Sequence, residues 1–202
     1  MIIDLKPLEE HVRIMLDKSL PKGVLYHNMN HASSMYKTAS LYAGLEGVKN
    51  GDRKLLLTTT LLHETGFTIQ YKDNKEISVD IAKEILPKFD YSNEDIKKIE
   101  DLIISTKIPH HPKNLLQQIL CDSEFDHFGT PLFFEIDYLY RKELELCMIE
   151  VHSDLEWYTA QLDFLDKHRY FTRSAHNIRD PGKRTNITQL KSLIKELEPV
   201  VE

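Results

Sequence analysis

Apolar residues recur at intervals of three and four along almost the whole chain, and no convincing run alternates with the period of two that marks a half-buried strand. That periodicity implies an all-α fold. Leu8, Val12, Met15, Leu16 and Leu20 trace a first amphipathic helix over Leu5–Leu20, and Pro21-Lys22-Gly23 ends it. His31, Met35, Thr38 and Tyr42 fall on one stripe with His27 in a second helix that begins near Asn28, with Gly44 and Gly47 closing it. On that reading His27 and His31 lie one turn apart on the same face. Asp52 opens a third helix whose Leu55, Leu56, Thr59 and Leu62 place His63 beside the buried stripe, and Gly66 stops it just after Glu64.

Residues 67–75 read as a polar loop. Glu76–Leu86 is a fourth helix, ended by Pro87. Ser92 and Asp95 have capping-box spacing and introduce a helix through Thr106 that stops before Pro109. Asn114 caps a short helix that delivers Cys121-Asp122. Thr130-Pro131 pairs an N-cap with proline at the first helical position and starts a long helix reaching Val151. Asp154–Lys167 is another, residues 176–184 are polar and turn-like, and Asn186–Glu198 closes the chain. There are no internal repeats and no low-complexity linkers, so residues 1–202 are expected to form one helical domain, with 185–202 packed on it as a C-terminal helix.

Charge narrows the partners. With 26 Lys and Arg against 32 Asp and Glu, a net charge of −6, the chain offers no basic footprint for duplex nucleic acid. No run approaches the roughly 18 apolar residues of a membrane span, and charged residues appear too early for a signal peptide. A cytoplasmic setting is expected. The two cysteines, Cys121 and Cys147, sit in apolar surroundings and read as buried free thiols.

The chemistry gathers in two stretches, Tyr26-His27-Asn28-Met29-Asn30-His31 and Leu61-Leu62-His63-Glu64-Thr65-Gly66. A single histidine in a helical stripe is usually a satisfied core residue. Here four candidate ligands come from three helices: His31, His63 with Glu64 beside it, and Asp122. Imidazole with carboxylate suits one divalent transition metal, Mn, Fe, Co, Ni or Zn, where an all-oxygen set would have pointed to Mg or Ca.

These segments resemble the HD-domain superfamily of metal-dependent phosphohydrolases, and within it a group of small bacterial proteins. The resemblance rests on five ordered segments over roughly residues 20–185: Tyr26-His27-Asn28 with His31; Leu61-Leu62-His63-Glu64-Thr65-Gly66; Leu86-Pro87 with Thr106-Lys107; Cys121-Asp122-Ser123-Glu124; and Glu156-Trp157-Tyr158 with Gln161, Phe164 and Leu165. It implies an all-α bundle of about eight to ten helices and hydrolysis of a nucleotide or other small phosphate ester by metal-activated water. Two positions depart from the pattern. The usual His-Asp doublet is His63-Glu64, one methylene longer, and Lys75 stands where relatives tend to carry histidine, which favours one metal over two.

The same resemblance assigns roles. His27 would protonate the leaving oxygen, and Glu76 would act as base or orienting group. Lys107, and Lys183 with Arg184 in a loop over the mouth, would hold the substrate phosphate, although each type of residue is more often a solvated surface charge. His110-His111, between Pro109 and Pro112, reads either as second-metal ligands or as a surface turn; His127, His152, His168 and His176 fit no ligand spacing. Two other readings remain: an inactive HD scaffold that binds a nucleotide or partner as sensor or adaptor, and a dinuclear oxygenase needing further histidine ligands. The Thr130–Val151 helix is the surface on which a homodimer would form.

Overall fold

The computed structural model describes residues 4–198, and among them there is no β-strand. Nine α-helices follow in order: α1 (Lys6–Ser19), α2 (Met29–Leu45), α3 (Asn50–Leu62), α4 (Asn74–Ile85), α5 (Asn93–Ser105), α6 (Leu115–Glu124), α7 (Phe133–Leu146), α8 (Asp154–Lys167) and α9 (Arg173–Leu197). Single 3₁₀ turns at Thr65–Thr68, Leu86–Phe89 and Asp126–Gly129 join some of them. No helix among the described residues is long and apolar enough to cross a membrane.

Apolar side chains separate into two clusters. The larger unites α1 to α6 around Val12, Tyr42, Leu56, Leu62, Ile99 and Ile103, with Tyr170 added from just before α9 and Ala175 from its first turn. The smaller joins Phe128, Phe133, Leu165 and Leu190 where α7, α8 and α9 meet the Asp126–Gly129 turn. α3 is buried over its last eight residues, Leu55 to Leu62, so its three consecutive threonines must pair internally. They do: Thr59 and Thr60 donate to the carbonyls of Leu55 and Leu57, and the Thr58 hydroxyl meets that of Tyr91 at 2.5 Å.

Several segments differ from the sequence reading, each for a physical reason. Residues 67–75 are not all polar loop, because Gly66 and Phe67 are buried in a 3₁₀ turn. A side chain at Gly66 would run into the backbone of Asn74, so only glycine lets α4 approach this turn, and the Gly66 amide donates to Ser78 Oγ at 2.8 Å. α7 starts at Phe133 and ends at Leu146, short of Val151. The reciprocal capping box lies at Ser153 and Glu156; at Ser92 the side chain caps Asp95 N, and its hydroxyl donates to the Asp95 carboxylate.

The largest correction is α9. Residues 176–184 are helical, and α9 runs through Pro181 without a break. Interior proline normally costs a helix about 3 kcal/mol. Tertiary bonds offset that cost here. Thr172 caps the helix, Arg179 Nε donates to Asp126 at 2.7 Å, and Asn186 Nδ2 donates to the carbonyls of Phe128 and Thr130 at 2.8 and 3.0 Å. Gly182 lies directly against Gly129, where any side chain would collide with the facing backbone.

Candidate metal centre

Asn28 sets the first ligand. Its backbone is extended and its Oδ1 accepts from the amides of Asn30 at 2.7 Å and His31 at 3.4 Å, so α2 begins at Met29 and His31 projects from the first turn. His27 therefore lies before the cap, outside the helix, rather than one helical turn below His31 on the same face. It reaches the same space from the side, with its ring stacked on Phe67 at 4.1 Å.

His63 caps the C-terminal end of α3 and is completely buried. Its Nδ1 lies 3.0 Å from the carbonyl of Thr60, which can only accept, so Nδ1 carries the proton and Nε2 offers a lone pair. Glu64 follows at once and turns into the same space. Glu124, the last residue of α6, enters from the far side.

Four side-chain atoms converge there without hydrogen-bond partners: His31 Nε2, His63 Nε2, Glu64 Oε2 and Glu124 Oε2, all buried. Orphaned polar atoms at such depth are costly, and one ion held among the four would satisfy them all. One ligand atom from each residue lies within 4.8 Å of every other. His31 Nε2 is 3.5 Å from Glu64 Oε2 and 3.6 Å from Glu124 Oε1; His63 Nε2 is 3.6 Å from Glu64 Oε1 and 3.1 Å from Glu124 Oε2. Tetrahedral ligands on bonds of roughly 2.1 Å stand roughly 3.4 Å apart. The spacing fits a small divalent ion.

The charge balance fits as well. Burial pushes Glu64 upward, but the imidazoles of His31, His27 and His63 and the Lys75 ammonium outweigh it and hold the carboxyl at about 2. Glu124 is likewise held well below the usual range, burial being overcome by Lys75, His63 and His31. Burial disfavours a charged His31, yet Glu64 and Glu124 together raise it. Two buried carboxylates thus stay ionised around imidazoles, and an ion binding there would displace any proton on His31.

Asp122 does not join this group. Its Oδ1 accepts from Phe171 N at 2.8 Å, and its Oδ2 accepts from Thr172 N at 2.8 Å and Thr172 Oγ1 at 2.7 Å. Burial lifts its carboxyl to about 6 against the pull of those donors. The acid that completes the group is Glu124, two residues on. Both were visible in Cys121-Asp122-Ser123-Glu124, but residues two apart on a helix point about 200° apart, so one faces α9 and the other the centre.

Around the group, His27 and Glu143 form a pair the sequence did not suggest. Glu143 in α7 accepts from the amides of Tyr26 at 2.7 Å and His27 at 3.0 Å, from the Tyr71 hydroxyl at 2.9 Å, and from His27 Nδ1. Burial would raise Glu143, but the hydrogen bond and charge of His27 win and keep it below its usual range. The opposite ring nitrogen, His27 Nε2, then lies 3.5 Å from Glu64 Oε1, facing the centre. Lys75, also half-hidden, places Nζ 3.5 Å from the same oxygen.

The remaining expected residues are scattered. Glu76 and Lys107 pair with each other on the rim of a cavity of about 260 Å³ that opens onto His27, Glu64, Lys75 and Glu124. That pairing holds Glu76 below its usual range, so it is a poor base there. Lys183 is buried within α9 and donates to the carbonyl of His168 at 2.5 Å; burial and nearby Arg169 bring it down to about 8. Arg184 is exposed on the same helix, and no loop of 183–184 covers the mouth. His110 stacks on Phe125, and neither it nor His111 belongs to the one ligand group found among the described residues.

No family model matches the chain. An uncharacterised protein of Clostridium beijerinckii is 33% identical over 81 residues, 39% of this chain, and the chain spans about half the length, 51%, of that curated relative. Bacillus subtilis YpgQ, solved in complex with ADP, superimposes with a TM-score of 0.68 at 14% identity over 96% of this chain and 95% of its own. A predicted HD superfamily hydrolase from an uncultured Thermotogales bacterium gives 0.63 at 14% identity over 96% of this chain and 99% of its own. The two superpositions cover nearly the whole of each chain: this protein shares its all-α fold with YpgQ and with the predicted HD superfamily hydrolase.

Proposed function

We propose that the chain is a metal-dependent phosphohydrolase acting on a nucleotide or another small phosphate ester in the cytoplasm. The observation that carries this is the convergence of four orphaned, buried donor atoms on one point, with His27 Nε2 beside them. His31, His63, Glu64 and Glu124 would hold a single Mn, Fe, Co, Ni or Zn ion, and the donor set does not choose among these. When bound, such an ion supplies Lewis acidity toward a phosphoryl oxygen and toward the attacking water.

The chain's own side chains supply the rest. Glu143 fixes the proton on His27 Nδ1 and stabilises the ring when it charges, so Nε2 can deliver a proton to a leaving oxygen placed over Glu64. Lys75 and Lys107 are the two lysines lining the same cavity, where a bound phosphate would compete with Glu64 and Glu76 for their ammonium groups. The complex of YpgQ with ADP supports a nucleotide as ligand.

A second reading has its own support. Lys75 Nζ lies 3.5 Å from Glu64, so an ammonium already offsets part of the carboxylate charge, as in a scaffold that binds nucleotide without turnover. A panel of nucleoside monophosphates, cyclic nucleotides and p-nitrophenyl esters with Mn, Co or Ni separates the two. Turnover that falls by roughly 10²-fold or more in His27→Ala with metal content unchanged supports the hydrolase. No turnover with any ester, while nucleotides still raise Tm, supports the binding scaffold.

A further inference from the structure

Resting on the phosphohydrolase reading, a second cavity specifies what the phosphate is attached to. This chamber, of about 320 Å³, meets the polar cavity at His27, Ile108, Glu124 and Tyr140. The two are lined differently. The polar one carries Lys75 and Lys107 among the acids Glu64, Asp73, Glu76 and Glu124, whereas the second has neither lysine nor arginine in its wall.

Its wall is aromatic. Phe125 and Phe128 stack at 4.8 Å, and Phe164 stands edge-on to both, at 5.3 and 5.6 Å. Tyr140 and Trp157 form the opposite side, 6.0 Å apart. Two further acids, Asp137 and Glu150, line it beside the shared Glu124. Asp137 fixes Trp157 by accepting from its Nε1 at 2.7 Å. A flat ring gains apolar contact and edge-to-face geometry here, and the chamber exceeds the roughly 150 Å³ that suffices for benzene. A second phosphate or a carboxylate would instead meet Asp137, Glu150 and Glu124 with no lysine or arginine in the wall to balance it.

We propose that this chamber is the subsite for the alcohol part of the substrate, and that it selects phosphate monoesters of aromatic groups bearing no negative charge. The phosphate lies on the lysine side of His27 and the ring on the Trp157 side, which puts the ester oxygen between them, at the His27 ring.

Trp157 is the sole tryptophan of the chain and belongs to the chamber wall, so its fluorescence reports this subsite without turnover. The full chain, with and without added Zn²⁺, is titrated with methylphosphonate, phenylphosphonate and 4-carboxyphenylphosphonate, none of which can be hydrolysed as an ester. Phenylphosphonate is expected to change Trp157 emission and to bind roughly tenfold or more tightly than either of the others. Ala160→Phe, which fills the chamber from an exposed position on α8, is expected to abolish that preference. Equal binding of the three, no binding of phenylphosphonate, or a preference that survives Ala160→Phe overturns the proposal. Hydrolysis is scored separately with phenyl and methyl phosphate. Turnover without aromatic preference leaves the hydrolase and removes the subsite; preference without turnover does the reverse.

Discussion

Two buried acids on the last turns of α6, Asp122 and Glu124, have opposite fates. Asp122 is surrounded by donors, accepting from two amides and a hydroxyl at the start of α9. Glu124 Oε2 has no hydrogen-bond partner, and neither have the facing atoms of His31, His63 and Glu64. A satisfied buried carboxylate holds the fold together; an unsatisfied one waits for something the chain does not contain.

Substitution should separate these roles cleanly. Asp122→Ala strands the amides of Phe171 and Thr172 at the N-terminus of α9 and is expected to cost about 3 kcal/mol, a fall in Tm on the order of 10 °C. Metal content per folded chain should not change. Thermal unfolding with metal analysis checks this, and loss of metal without loss of stability would return Asp122 to the ligand set. Glu124→Gln should act on the metal instead: added metal no longer raises Tm, because binding weakens by roughly 100-fold. A Tm rise equal to the parent's would exclude Glu124 as a ligand.

Glu143 tests the boundary between the two classes, since it is as well satisfied as Asp122 but serves His27. Its folded pKa is below the unfolded value near roughly 4.3. Its stabilisation is therefore present above that range and is lost as pH falls through the folded value. Glu143→Gln should flatten the decline of stability that the parent shows as pH falls below about 5. Denaturant unfolding across that range checks it, and parallel pH profiles would mean that Glu143 is not held ionised by the fold. This is the smallest of the three effects.

Legibility in the sequence followed the range of the interactions. The eight helices α1 to α8 were readable because each carries its own three-to-four apolar stripe, some with a cap such as Ser92 or Asn114. α9 was readable only in its second half. Pro181 and Gly182 are local signals for a break, and the bonds that overrule them come from Asp126, Phe128 and Thr130, some fifty residues away. Lys183 was misplaced for the same reason: the assumed loop is a helix, and it turns that side chain inward to His168.

The candidate centre divides in the same way. His31, His63 and Glu64 could be named from the sequence because they stand at helix ends marked by Asn28 and Gly66 within apolar runs. That local pattern also settled the helical class. Choosing Glu124 over Asp122, pairing His27 with Glu143 more than a hundred residues on, and joining a lysine-lined cavity to an aromatic one all depended on which face of a helix meets which neighbour. A helix's period reveals that it has two faces, but only packing decides whether donors, a partner or an open cavity lies opposite each one.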